Sequence, residues 1–256
     1  MPRSRAEKSA RKRDLKFRMS TKDGAYMARC TVSDPQTGRP CGRPTARASG
    51  KGLSAFTCRY HQQHRQRHGS TWCKSPRATT LKPYLLAALA YIEVRHNDPY
   101  IGGALAGLKA KMQAAGPAEL ATRLTGLPPS QRADIALARL REAEIAPERL
   151  LAIVLAIHAL VEDAPAIAHR TGEWITVAIA KAAHRLASGT HRNWSVPQHD
   201  GAIQQVALHK YPRSSGLVLR YLGAALVKEC EWVIDQHLAP VVGLKVARYG
   251  PHRVAQ

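Results

Sequence analysis

Apolar residues recur at helical spacing from Leu81 to the C-terminus and hardly at all before it. Leu81, Leu85, Ala88, Leu89 and Ile92 mark one face of a helix that should end before Asp98-Pro99. Ala133, Ala136, Leu137, Leu140 and Ala143 mark a second, with Ser130 as its expected N-cap after Pro128-Pro129. Pro147 suits a first helical turn and leads into the apolar run 150–160. Further helices are expected over 173–187 and 215–237. Prolines 99, 117, 128, 147 and 165 punctuate this region at spacings of 18, 11, 19 and 18 residues. No side-chain pattern recurs with them, so the expectation is an irregular all-helical bundle over 81–256 and not a solenoid. The fold class expected for the chain is mainly α.

Upstream the pattern changes. Residues 19–69 are rich in Gly, Arg and polar side chains and hold too few large apolar ones to bury a core. Turn signals at Asp34-Pro35, Thr37-Gly38, Gly42 and Ser49-Gly50 fit short strands and knuckle loops. Residues 1–18 carry eight basic side chains and read as a basic flexible arm, while 70–80 read as a polar linker.

Charge sharpens this division. Residues 1–80 hold 19 Lys+Arg against 4 Asp+Glu and residues 81–256 hold 20 against 14, which gives +15 and +6 of the total +21. A basic excess concentrated in one third of the chain is the footprint of a polyanion binder. No apolar run is long enough to cross a membrane, the charged start does not resemble a secretory signal, and no membrane partner is expected. Five cysteines, an odd number, point to reduced thiols and to the cytoplasm.

A metal could supply the folding energy that 19–69 lacks. Cys30, Cys41, Cys58 and His61 form C-x10-C-x16-C-x2-H within this basic stretch. Three thiolates and one imidazole suit a closed tetrahedral zinc site, and a closed site argues for structure over catalysis. Cys58 and His61 can chelate one ion with little loop entropy, and Gly38-Arg39-Pro40 with Gly42 builds a tight turn around Cys41. His64, His68 and Cys73 lie close enough in sequence to replace one of the four.

The string Thr37-Gly38-Arg39-Pro40-Cys41-Gly42-Arg43-Pro44, followed by Cys58-Arg59-Tyr60-His61, resembles a short Cys/His motif of small bacterial phage and mobile-element proteins. In that motif a G-x-P-C-x-x-P turn precedes C-x-x-H, with two glycines after the histidine. Here Gln62 and Gln63 replace the glycines and the Cys41–Cys58 loop is long. The resemblance covers residues 30–61 and implies metal binding in a phage-like context, without implying a reaction.

Other constellations are weaker. Glu93 and His96 share a helix face, but the further Glu-x-x-His and glutamates of a di-iron bundle are missing. His158 and His184 fall on apolar helical stretches and read as core histidines, and Cys230 reads as packing. No P-loop, dinucleotide or nucleophile-elbow motif is present, so no catalytic residue is nominated and an enzyme is not expected. Two functions follow. The favoured one is a zinc-bearing nucleic-acid binder. Arg11, Lys12 and Arg13 in the arm and Arg39, Arg43, Arg47 and Lys51 around the metal turn would contact the nucleic acid. Thirteen arginines against six lysines in residues 1–80 favour duplex DNA, with RNA as the alternative. In that reading the helical region serves a protein partner or self-association. The other function is a helical protein-interaction scaffold that its basic zinc module merely localises.

Overall fold

In the computed structural model the chain divides into two compact units, Met1–Lys74 and Ser75–Gln256. The structure describes residues 9–10, 13, 29–34, 37–45, 56–164, 172–187, 190–199, 202–210 and 215–252. Among these are eight principal α-helices, one 3-10 turn at Ala121–Leu124 and one two-stranded sheet, so the chain is mainly α. The first unit contributes α1 (Arg59–His68). The second begins with α2 (Ala78–Val94), α3 (Pro99–Gln113), α4 (Pro129–Glu142), α5 (Pro147–Asp163) and α6 (Gly172–His184). It continues with β1 (Thr190–Pro197), β2 (Ile203–Lys210), α7 (Gly216–Lys228) and α8 (Glu231–Tyr249). No helix among the described residues is long and apolar enough to cross a membrane.

Helix α5 is the axis of the second unit. Leu150 through Ile157, Ala159 and Leu160 are all buried, and α2, α3, α6 and α8 pack around it. A helix that is apolar on every side is stable only when covered on every side, which is why this run takes the centre. Pro147 stands in its first turn as expected.

The start of α4 lies two residues earlier than the sequence suggests. Pro129 occupies the first turn with Pro128 as N-cap, so Ser130 lies inside the helix and makes no cap bond. Proline presets φ and has no N–H to satisfy, which removes the need for a hydroxyl cap. Helix α3 is unheralded because Gly102, Gly103 and Gly107 dilute its apolar stripe of Ile101, Ala104, Leu108 and Met112. Asp98 starts it, its Oδ1 accepting from the amides of Tyr100 (2.9 Å) and Ile101 (3.3 Å). Arg141 of α4 closes it, donating to the carbonyls of Met112, Gln113 and Gly116. The Gln113 carbonyl is among the last four of the helix, which have no partner within it.

The single helix expected over 215–237 is two helices, broken at Glu229-Cys230. Helix α8 then runs through Pro240, which a breaker rule would have taken as a stop. Its buried stripe Val233, His237, Val241 and Lys245 advances four residues at a time on both sides of the proline. Packing of that stripe outweighs the cost of about 3 kcal/mol that an interior proline carries.

The second unit is not all helix. Strands β1 and β2 form an antiparallel ribbon in which Trp194 faces Val206 and Ser195 faces Gln205. Its alternation is short and interrupted by Pro197 and His199, so it falls between two helical patterns without signalling itself.

Buried ionic contacts tie the helices together. The Lys245 ammonium pairs with Asp163 at the end of α5, and Tyr84 of α2 donates to the same carboxylate at 2.7 Å. Burial opposes ionisation of Asp163, but Lys245 and Tyr84 together hold its carboxyl below the ordinary range. Arg220 of α7 pairs with Glu173 of α6. Between the same two helices, a Cβ placed on Gly223 would lie 2.1 Å from the Thr176 carbonyl oxygen.

Candidate metal centre

In the first unit two short segments pair antiparallel, with bridges at Arg29–Pro44 and Ser33–Pro40. The Cys30 amide donates to the Arg43 carbonyl and the Cys41 amide to the Val32 carbonyl, both at 2.8 Å. The turn between them needs glycine: Gly38 has φ 68° and Gly42 has φ 62°, both left-handed. This ladder sets Cys30 and Cys41 on neighbouring segments. The Thr31 amide donates to the Phe56 carbonyl at 2.9 Å and ties the ladder to the chain entering α1.

Helix α1 carries the other two residues. Cys58 is its N-cap and His61 lies in its first turn, so the C-x2-H spacing brings both side chains to one end of a helix. That end concentrates unsatisfied amides and positive dipole, which favours a thiolate. The helix was not expected. RYHQQHRQRH is polar on every side, and its only buried side chains are His61 and His64. Such a helix gains little from apolar burial and must be held by other contacts.

Cys30, Cys41, Cys58 and His61 converge. Their ligand atoms all lie within 4.8 Å of one another, and together they could hold a metal ion. His61 Nδ1 is 3.2 Å from Cys30 Sγ and 3.4 Å from Cys58 Sγ, and Cys41 Sγ is 4.0 Å from Cys58 Sγ. A tetrahedral ion with metal–sulfur bonds of ~2.3 Å and metal–nitrogen bonds of ~2.0 Å would place its ligand atoms roughly 3.5–3.8 Å apart. The observed separations bracket that edge length. Cys30 and Cys58 are 2% and 3% exposed and His61 is 1% exposed, so the group is closed to solvent on most sides.

The electrostatics of the group are uneven. Burial pushes the Cys30 thiol up. Cys58 is buried too, yet the His61 amide, the Cys30 and Cys41 thiols and the Tyr60 amide pull it below its ordinary value. Burial, with His64 and Arg43 close by adding to it, disfavours protonation of His61. A thiol whose ionisation is favoured beside an imidazole whose protonation is disfavoured eases the proton release that metal binding requires.

The three alternative ligands lie outside the converging group. His64 Nδ1 meets the Ser70 carbonyl at 2.7 Å, the His68 ring lies against the His64 ring at 4.6 Å, and the Cys73 amide donates to Ser70 Oγ at 3.0 Å. Residues 70–73, read from sequence as linker, therefore belong to the first unit's own contacts. Trp72 lies against the His61 ring with centroids 4.7 Å apart. Sequence reasoning missed this cover because Trp72 stands in a polar run, and an isolated tryptophan close to a Cys/His set was the one available signal.

Among the proposed nucleic-acid contacts, Arg39 and Arg43 are exposed on the cysteine ladder, and the Arg43 guanidinium lies 5.2 Å from the Tyr60 ring centre. Arg29 and Arg59 are exposed on the same small unit. Arg13 is exposed, while Arg11, Lys12, Arg47 and Lys51 lie outside the described residues.

In the second unit Glu93 and His96 are both exposed, and the histidine contacts the Glu93 carbonyl and not a shared centre. Burial drops His158 to about 4 and pushes the Cys230 thiol up to about 12. His237 bridges two elements instead, with Tyr91 Oη 2.9 Å from its Nδ1 and Asp98 Oδ1 3.2 Å from its Nε2. No family model, curated protein or solved structure matches the chain, so its own residues must carry the functional reading.

Proposed function

We propose that the chain is a non-catalytic, zinc-binding protein that binds nucleic acid, duplex DNA in preference to RNA, through its basic N-terminal unit. The convergence of three thiols and one imidazole in a closed group carries this reading. Four protein ligands with soft sulfur and borderline nitrogen suit zinc, and a closed set leaves no open coordination position for a substrate. The metal would then order a unit that lacks an apolar core and hold Arg29, Arg39, Arg43 and Arg59 on its surface. The basic segment that includes Arg11, Lys12 and Arg13 would add sequence-independent affinity through phosphate contacts. The likeness of residues 30–61 to the Cys/His motif of small phage and mobile-element proteins is in keeping with this reading.

Elemental analysis of the intact protein, run beside an anisotropy titration on duplex DNA at several salt concentrations, tests it. About one zinc per chain is expected, together with affinity that falls steeply with salt. Changing Arg11, Lys12 and Arg13 to Ala should reduce the log–log slope by up to about three, at roughly 0.9 per phosphate contact. Well under one zinc per chain, or binding indifferent to salt, contradicts the proposal.

A further inference from the structure

The ribbon of β1 and β2 is built unlike the rest of its unit. Every described side chain of the two strands is exposed except Val206, which is half-buried. Asn193, Ser195, Ile203, Gln205 and Ala207 are open on one face and Trp194, Val196 and Gln204 on the other. Trp194 is 45% exposed and Ile203 70%. A two-stranded ribbon whose described side chains leave both faces open is at best marginally stable in water, and its outer edges invite a partner. Evolution tends to remove such an element unless something covers it.

Its chemistry says what. Neither strand, Thr190–Pro197 or Ile203–Lys210, contains an aspartate or glutamate. They carry Arg192 and Lys210, and a concentration of amides in Asn193, Gln204 and Gln205, with Gln198 following β1. The amides are partly fixed: Gln205 Nε2 donates to Ser195 Oγ at 2.8 Å across the strands, and Gln198 donates to Gln204. Asn and Gln amides present the paired donor and acceptor that read an adenine edge, and Arg matches guanine or phosphate. A second copy of a chain with net charge +21 would bring the same sign of charge and no strand carboxylate to pair with it. A polyanion answers both the charge and the amides.

We infer that the β1–β2 ribbon enters the major groove of duplex DNA as a contact element separate from the N-terminal unit, an inference that rests on the proposed nucleic-acid function. Shape selects the duplex. Two strands about 4.8 Å apart with their side chains match the roughly 12 Å major groove of B-form DNA. The deep, narrow major groove of A-form RNA excludes them.

The test uses the intact protein, with duplex DNA drawn from a random-sequence pool and duplex RNA as probes. Hydrogen exchange should show amides of residues 190–210 gaining protection when duplex DNA is added. A variant combining Asn193→Ala and Gln205→Ala, which share a face of the ribbon, should lose about tenfold or more on the preferred duplex, since each base-edge pair lost costs discrimination of that order. The variant Arg192→Ala/Lys210→Ala should lower the salt slope by about two. Both should bind duplex RNA as the unaltered protein does, and matching circular dichroism shows that the fold is intact. If the unaltered protein binds DNA but the ribbon gains no protection and both variants bind unchanged, the ribbon inference falls and the N-terminal reading stands. If the variants lose self-association while keeping DNA affinity, the ribbon is a surface between copies and the inference is likewise overturned. If the unaltered protein binds no duplex even at low salt, the proposed function fails and the inference falls with it.

Discussion

The two units reach order by opposite routes. In Ser75–Gln256 a helix apolar on all sides is wrapped by amphipathic ones, and ten of the buried side chains belong to α5 alone. In the first unit the one well-defined helix is polar on every side and buries only two histidines. What gathers the first unit is a set of four soft ligands and a tryptophan laid over one of them. A unit with so few large apolar residues cannot bury a large apolar core, and a metal held by these four residues would supply the missing stabilisation. The larger unit needs no such device and spends its few buried charges on joining helices.

The largest expected effect breaks the small unit alone. Cys58→Ser removes the ligand shared by both halves of the site, the helix end and the cysteine ladder. Structural zinc contributes on the order of 10–16 kcal/mol of apparent binding energy in comparable small modules. Zinc content should therefore fall well below one per chain, and dichroism should show helix loss confined to about one short helix. Zinc retained in full would show that Cys58 is not a ligand.

A smaller effect breaks the large unit. Lys245→Met leaves the buried Asp163 without its cation and should cost about 3–5 kcal/mol in chemical denaturation. Adding Asp163→Leu should recover much of that loss, because two apolar side chains no longer need pairing. If Lys245→Met alone is neutral, the pair contributes little to joining α5 and α8.

Gly223→Ala comes next. The new methyl would meet the Thr176 backbone, which cannot swing aside as a side chain can, so α6 and α7 must part. A loss of about 1–3 kcal/mol is expected, with the zinc content unchanged. No loss in thermal unfolding would show that the two helices tolerate wider spacing.

The smallest effect is a pH dependence confined to the large unit. His158 titrates at about 4 in the folded chain, below its ordinary value of 6.5, because it is buried, and its Nε2 has no hydrogen-bond partner. The unfolded chain therefore binds a proton first as pH falls, and stability is full above about 6.5 and lost progressively between there and about 4. At pH 5 the loss should approach about 2 kcal/mol. His158→Leu should flatten that window. The contribution of Asp163 is separate: its carboxyl is depressed, so that stability is lost only as pH falls through its lower folded value. An unchanged acid slope in His158→Leu contradicts the assignment.

The same contrast explains what could be read from the sequence. The metal ligands were legible because their chemistry is carried by residue type and spacing, and Cys30, Cys41, Cys58 and His61 do converge. Helix α5 was legible because an unbroken apolar run has few other places to go. Helix α1 was not, since its contacts are the approach of Cys58 and His61 to the ladder cysteines and the Ser70 carbonyl against His64, neither of which leaves a periodic trace. The extension of α8 through Pro240 depends on a buried stripe that only the packed structure reveals as stronger than the local breaker. The ribbon escaped notice because its described side chains are open on both faces, so no apolar alternation marks them.

Hydrogen exchange of the intact protein before and after a chelator tests the central claim most directly. Amides of residues 29–45 and 56–73 should lose their protection together when the metal is withdrawn, while those of α5 keep theirs. Protection in the first unit that survives verified removal of the metal would contradict the account, as would loss that spreads into α5.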